Sequence, residues 1–448
     1  MAGFCLKTNN SFCVASYLLG NAIKRLKPML DVLFKFMVAQ GTASFLNMMY
    51  GFICIRVLSI EEYSKYVVFF TVQATVTVLM DSGITGTIIP LIGDKVNNNQ
   101  LIADYVASLR GLAHILYIIV GIGTTTFFPQ VIIARHWDLR SSCVMIAVLL
   151  ALTWFARVSS AYGAVLIVKK DRTYWCNTQI YSSAIMLLLL LSLYEAGRIT
   201  ALGAMIINLG GAIFTASRYY MRSKYHLVVR GSKKWSMQKS IIQLASPAIP
   251  GVIFYSFQGQ IGIYMLTFLG KVESVASIGA LSKICQMTNY VSPINPVLVE
   301  PFFARLEKRK LIKWSIAILS CALFLCVVLV AVVKVVPEIF LWIIGPHYKE
   351  LHGEIFIAVI PGVLAVLGGV ISSINSARRF NYYRFNVANI IITLGVQFAC
   401  MTRMNLSSLH SVLVFNVISS IPGMVLVSLT LIYGMKFGGR RVAFDTCE

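Results

Sequence analysis

The sequence predicts an all-α integral membrane protein with about twelve transmembrane helices, arranged as two pseudo-symmetric six-helix bundles around a central cavity. Three observations lead there. Of 448 residues, 58% are hydrophobic and 12% charged, and the mean hydropathy is +0.77, a balance that excludes a water-soluble globular protein. Apolar runs of about 20 residues, the helix length that crosses a ~30 Å hydrocarbon core, recur from one end of the chain to the other. A basic stretch at 219–241, with no acid in it, separates the first six runs from the last six.

The elements follow in order. Residues 1–32 hold a short apolar piece, Phe12–Leu19, followed by Lys24, Arg25 and Lys27 rather than by a small-residue cleavage site, so they read as a cytoplasmic or interfacial segment and not as a signal peptide. The first bundle, 33–218, contains runs near 33–57, 65–91, 108–129, 143–168, 176–194 and 199–218. After the basic cytoplasmic linker 219–241, the second bundle, 242–434, contains runs near 243–269, 275–299, 312–336, 355–376, 384–402 and 409–434. Residues 435–448 form a cytoplasmic tail. Pro247 and Pro250 early in the seventh run, and Pro293 and Pro296 late in the eighth, predict breaks, because proline removes a backbone donor and clashes with the preceding turn.

A net charge of +22 invites a nucleic-acid reading, but the charges are in the wrong places for one. Most of the 39 Lys and Arg flank loops on the side of the N-terminus, which by the positive-inside rule puts both termini in the cytoplasm. Arg218, Arg222, Lys224, Arg230, Lys233, Lys234 and Lys239 form the densest cluster, a topogenic signal that also meets anionic headgroups. No C-x-x-C pair occurs among the ten cysteines, and Cys54, Cys143, Cys176, Cys285, Cys321, Cys326 and Cys400 lie in or at the ends of runs as small apolar residues.

Laid over each other at an offset of 211 residues, the halves pair Gly51 with Gly262, Leu58 with Leu269, Glu62 with Glu273 and Pro90 with Pro301, and set Asn47 opposite Gln258, a hint of duplication. Repeated six-span halves with a site between them recur among transporters. The stretches RVLSIEEYSKYVVFF (56–70) and LMDSGITGTIIPLIG (79–93), the turn LGKVESVASIGALSKICQ (269–286) and the loop LWIIGPHYKEL (341–351) resemble the polysaccharide-export, O-antigen flippase branch of the multidrug/oligosaccharidyl-lipid/polysaccharide flippase superfamily. The chain departs from that pattern at Ser59, where glycine is usual, and at Gln258 and Gln260, where span seven frequently carries an acid.

What the resemblance implies is a flippase of the bacterial inner membrane that carries an undecaprenyl-diphosphate-linked oligosaccharide from the cytoplasmic to the periplasmic leaflet by alternating access. Membrane lipid and the polysaccharide polymerase and chain-length machinery are its implied partners. Such cargo brings an anionic diphosphate and many hydroxyls through the membrane, so its path needs cations and neutral hydrogen-bonding groups. Arg157, near the middle of the fourth run, and Lys283, in the eighth, are the two in-membrane cations. An arginine at mid-depth costs at least ~2.5 kcal/mol and is expected to face protein or a wet cavity. Asp81 lies well inside the second run, as a substrate or proton group or as a structural ion-pair partner of Arg157 or Arg56. Asn47, Gln258 and Gln260, with Gln286 and Asn289, add amides that could bond sugar hydroxyls or glue helices together.

No cofactor is expected. The sequence has no P-loop, and His347 and His352 share one outer loop without a metal-ligand pattern. Two other functions remain open. A multidrug cation antiporter of the same superfamily would want buried carboxylates and aromatics. A membrane-embedded polysaccharide polymerase or glycosyltransferase would want a sizeable outer loop, and here the outer loops are short.

Overall fold

The computed structural model describes residues 37–437, except 94, 136, 230, 248, 290–294, 296–298 and 381. The expected N-terminal segment 1–32, Pro293, Pro296, Arg230 and all but the first three residues of the tail lie outside that set. Helix follows helix: α1 (Met37–Val57), α2 (Ile60–Asp81), α3 (Ile88–Ile92), α4 (Asn99–Arg135), α5 (Leu139–Val168), α6 (Arg172–Glu195), α7 (Ala201–Leu227), α8 (Trp235–Ala245), α9 (Ile249–Gln258), α10 (Ile261–Leu269), α11 (Val272–Asn289), α12 (Glu300–Arg305), α13 (Lys308–Val335), α14 (Pro337–Ile344), α15 (His352–Arg378), α16 (Tyr383–Arg403) and α17 (Leu409–Phe437).

Among the described residues nine helices are long and apolar enough to cross a membrane, and up to eleven spans result if two bent pairs each count as one. Where the expectation was twelve, the eighth run accounts for the difference. Its helix α11 carries Glu273, Ser274, Ser277, Ser282, Lys283, Gln286 and Asn289 within 18 residues, too polar for a lipid-facing helix. Span seven is in pieces: the chain bends between α8 and α9 around Pro247, and again at Gly259 and Gln260 between α9 and α10.

This is a multi-pass membrane protein, and its surface says so. The most hydrophobic span, Arg309–Val335, has a mean hydropathy of 3.2 yet only 11% of it is buried, and Leu323, Phe324, Leu325 and Val327 all point outward. In water that arrangement would be inverted; lipid takes the place of a covering layer.

Within the first half α5 and α6 pack on α7, and within the second α13 and α17 pack on α15 while α16 packs on α17. Across the halves α2 lies against α9, α10 and α11. Glycines let polar side chains of a neighbouring helix come close: a Cβ on Gly51 would touch the Lys283 stem at 3.5 Å, and one on Gly262 would meet Asn416 at 2.6 Å. Ser59 caps α2, its Oγ accepting the Glu62 N–H at 3.3 Å, which is what serine offers there in place of glycine.

Most of the basic stretch 219–241 is helical, because α7 runs on to Leu227 and α8 starts at Trp235. What lies between is stapled to α4. The Asp104 carboxylate, buried, accepts from the Ser232 N–H (2.7 Å) and hydroxyl (3.1 Å), from Gln100 (2.9 Å) and from the Lys234 ammonium (2.5 Å). Gly231 sits so near α4 that a Cβ would fall 1.9 Å from the Ala103 carbonyl oxygen.

Candidate functional site

A cavity of about 870 Å³ lies between the halves, with α2 on one wall and α9, α10, α11, α15 and α17 on the other. Its lining follows from the local breaks. The turn at Gly259 and Gln260 ends α9 and turns the amides of Gln258 and Gln260 onto the cavity. Lys283 reaches it from α11 beside Gly51, and its Nζ donates to Gln286 Oε1 at 3.2 Å. Gln258 Nε2 donates to the Ser419 carbonyl at 3.1 Å, which ties α9 to α17.

Among the described residues of the lining, Lys283 brings the one formal charge and no carboxylate is present. Five amides face the space: Gln73, Gln258, Gln260, Gln286 and Asn416. The aromatic rings of Tyr63, Tyr66, Phe70 and Tyr255 complete it. Four lining residues carry a buried polar atom with no hydrogen-bond partner: Tyr63 Oη, Gln73 Oε1, Thr77 Oγ1 and Ser419 Oγ. Unsatisfied buried polar groups cost about 1–3 kcal/mol each, so their gathering around one cavity, three on α2 and one on α17, marks a surface that a hydrogen-bonding guest would complete.

Of the residues singled out in the sequence, Lys283, Gln258, Gln260 and Gln286 come together here. Asn47 does not; it is exposed on α1 and outside the cavity lining. The side chain of Asn289 lies outside the described residues. Arg157 and Asp81 share a separate chamber of about 50 Å³ inside the first half, room for a few water molecules. Thr77 lies in the wall common to chamber and cavity. The Arg157 guanidinium stacks on the Trp154 ring at 4.0 Å, with the Tyr117 ring at 5.8 Å, and its Nε and Nη1 are buried without a hydrogen-bond partner. No ion pair joins it to Asp81.

Gln73, Thr77, Asn416 and Ser419 were not legible as site residues. Neutral side chains dispersed along an apolar helix carry no chemical signal until the helix's rotation is known. Only the spacing of Phe70, Gln73 and Thr77, one helical face of α2, hinted at it.

Several contacts tie the two halves together beside the cavity. Arg135 of α4 donates to the Gly270 carbonyl at 3.0 Å and to that of Leu266, both in the second half. Phe127 packs edge-on against Tyr264 and Phe268, Tyr264 donates to Thr75 Oγ1 at 2.9 Å, and the Tyr63 and Tyr348 rings meet at 6.4 Å.

No family model matches the chain. No curated protein matches it either. Among solved structures it superimposes on an inward-facing multidrug-resistance transporter of the MATE family, in the MOP superfamily, with a TM-score of 0.64 at 14% identity over 88% of this chain and 94% of that one. The chain has the fold of MOP-superfamily transporters. The lipid II flippase MurJ, in an inward closed conformation, gives a TM-score of 0.64 at 13% identity over 90% and 87% of the two chains. An outward-facing MATE transporter of the same superfamily gives 0.55 at 14% identity over 90% and 94%. In this MOP fold the large cavity is the space between the two halves, and the Arg157 chamber belongs to the first half alone.

Proposed function

We propose that the chain is a lipid flippase and not an enzyme: it moves an undecaprenyl-diphosphate-linked oligosaccharide from the cytoplasmic to the periplasmic leaflet of the bacterial inner membrane. Both termini are cytoplasmic in this reading. The observation that carries it is the chemistry of the central cavity, where one lysine and five amides face the space without a carboxylate among the described lining residues.

Lys283 suits an anionic head group, and amides and unpartnered hydroxyls suit sugars, since each can donate and accept toward ring hydroxyls. An organic cation would find aromatic rings there but no counter-charge, which weighs against the multidrug antiporter. The halves rock about the cavity while the polyprenyl tail stays in lipid, and the Arg135, Tyr264 and Tyr63 contacts close the periplasmic end in this state. Arg157 acts from its side chamber, through the wall that Thr77 shares.

The test is complementation in cells that lack their own flippase but make a matching lipid-linked glycan. Wild type, Lys283→Ala and Gln258→Leu are compared at matched membrane levels, reading surface polymer and precursor trapped on the cytoplasmic side. Wild type restores polymer, and Lys283→Ala traps single repeat units. Trapping by wild type across several repeat units, together with resistance to cationic dyes, would overturn the reading in favour of drug export.

A further inference from the structure

A further pocket, of about 450 Å³, lies where α1 ends and α15 begins. We infer that it binds the phosphate head of a membrane lipid. The site is separate from the transport cavity, and the inference does not depend on what the cavity carries.

Charge comes first. Arg56, Lys349 and His352 converge on the pocket against a single acid, Glu338, and none of the four takes part in an ion pair within the described residues. Four ionisable side chains around one space, with no partner among themselves, leave the excess of basic groups for a guest. Arg56 is restrained by a cation–π contact, its guanidinium carbon 5.1 Å from the centre of the Trp342 ring, and a guanidinium can bond a phosphate through paired N–H groups.

The flank of the pocket decides between a free anion and a lipid. Trp342 is 69% exposed and Ile339 55% exposed on the short helix α14, while Leu341 is buried beneath them. Tryptophan and aliphatic side chains presented outward beside a cationic pocket match the boundary between headgroup and acyl chain, where a lipid can place its phosphate inward and its tails along α14.

The pocket also straddles the seam. Arg56 comes from the first half and the other groups come from the second, and the two meet at Gly345, whose φ of +104° and whose Cβ position, 3.1 Å from Arg56 Cγ, leave room for glycine alone. A lipid seated here touches both halves at once and favours the state in which they are docked at this end.

The experiment is native mass spectrometry of the purified full-length chain titrated with phosphatidylglycerol, with phosphate-free diacylglycerol and inorganic phosphate as comparison probes. Wild type retains phosphatidylglycerol and not diacylglycerol. The double variant Arg56→Gln/Lys349→Gln binds it about tenfold more weakly, as expected for the loss of charge-assisted bonds. Glu338→Gln binds it more tightly, a gain that misfolding cannot produce. Wild-type affinity in the double variant, no gain in Glu338→Gln, or equal retention of diacylglycerol would each overturn the proposal. Inorganic phosphate displacing the lipid at equal concentration would overturn the lipid assignment.

Discussion

Asp104 and Arg157 are both charged, both set in helices of the first half, and treated in opposite ways by the fold. Around Asp104 every approach is filled: two donors from Ser232, one from Gln100 and an ammonium from Lys234. Around Arg157 two N–H groups are buried with nothing to bond, and the guanidinium is held by its face on Trp154. A buried charge that has been satisfied is there for architecture, whereas one kept unsatisfied at a cost of several kcal/mol is retained against stability. The contrast sets a satisfied structural ion apart from a charge that we propose serves transport, a distinction that burial and depth alone do not draw.

The widest separation is expected in transport by the cavity itself. On the proposed function, Lys283→Ala lowers flipping by tenfold to a hundredfold, roughly one charge-assisted bond of 1.5–3 kcal/mol, while leaving the denaturation midpoint of the detergent-solubilised protein near wild type. Asp104→Ala does the reverse. It strands the Ser232 N–H and the Lys234 ammonium and costs about 2–3 kcal/mol, visible as faster amide exchange over residues 231–238.

Arg157→Met is the decisive member of the comparison. Removing an unpartnered charge and filling the space with an apolar chain leaves stability unchanged or raises it by ~1 kcal/mol, while transport falls. If the variant unfolds more easily, water in the chamber was bridging Arg157 to Asp81, and the arginine belongs with Asp104 as a structural ion. The smallest effect falls on Gly51→Val, which crowds the Lys283 stem from 3.5 Å and reduces transport a few-fold with little change in stability.

Much of the fold was legible because a bilayer imposes length and composition on every span, and those are read directly from the chain. The all-helical class and the break near Pro247 were visible in this way. Span eight was harder, since α11 lines the cavity and has traded hydrophobicity for Lys283, Gln286 and serines, so the polarity that makes it part of the site weakens it as a span. Of the site, Lys283, Gln258 and Gln260 stood out as amides and a cation in apolar runs. Arg157 stood out as strongly, yet sequence gives only its depth; the rotation of α5 about its axis, which aims it into a side chamber, is set by packing against α7 and α2. Gln73, Thr77 and Ser419 were hidden for the same reason.

The staple at Asp104 also decides which half owns α8. The sequence reading places most of α8 in the basic linker ahead of the second bundle, but Ser232 and Lys234 hold its start to α4, and Gln238 donates to the Ser108 carbonyl at 3.2 Å. By its contacts α8 belongs with the first half, and on the proposed rocking mechanism the joint between the bodies falls near Ser246 and Pro247. A protein split at that joint would therefore keep α8 with the first-half residues it packs on, whereas one cut in the basic stretch would leave α8 on the other fragment, held to α4 and to Thr85–Thr87 only by non-covalent contacts.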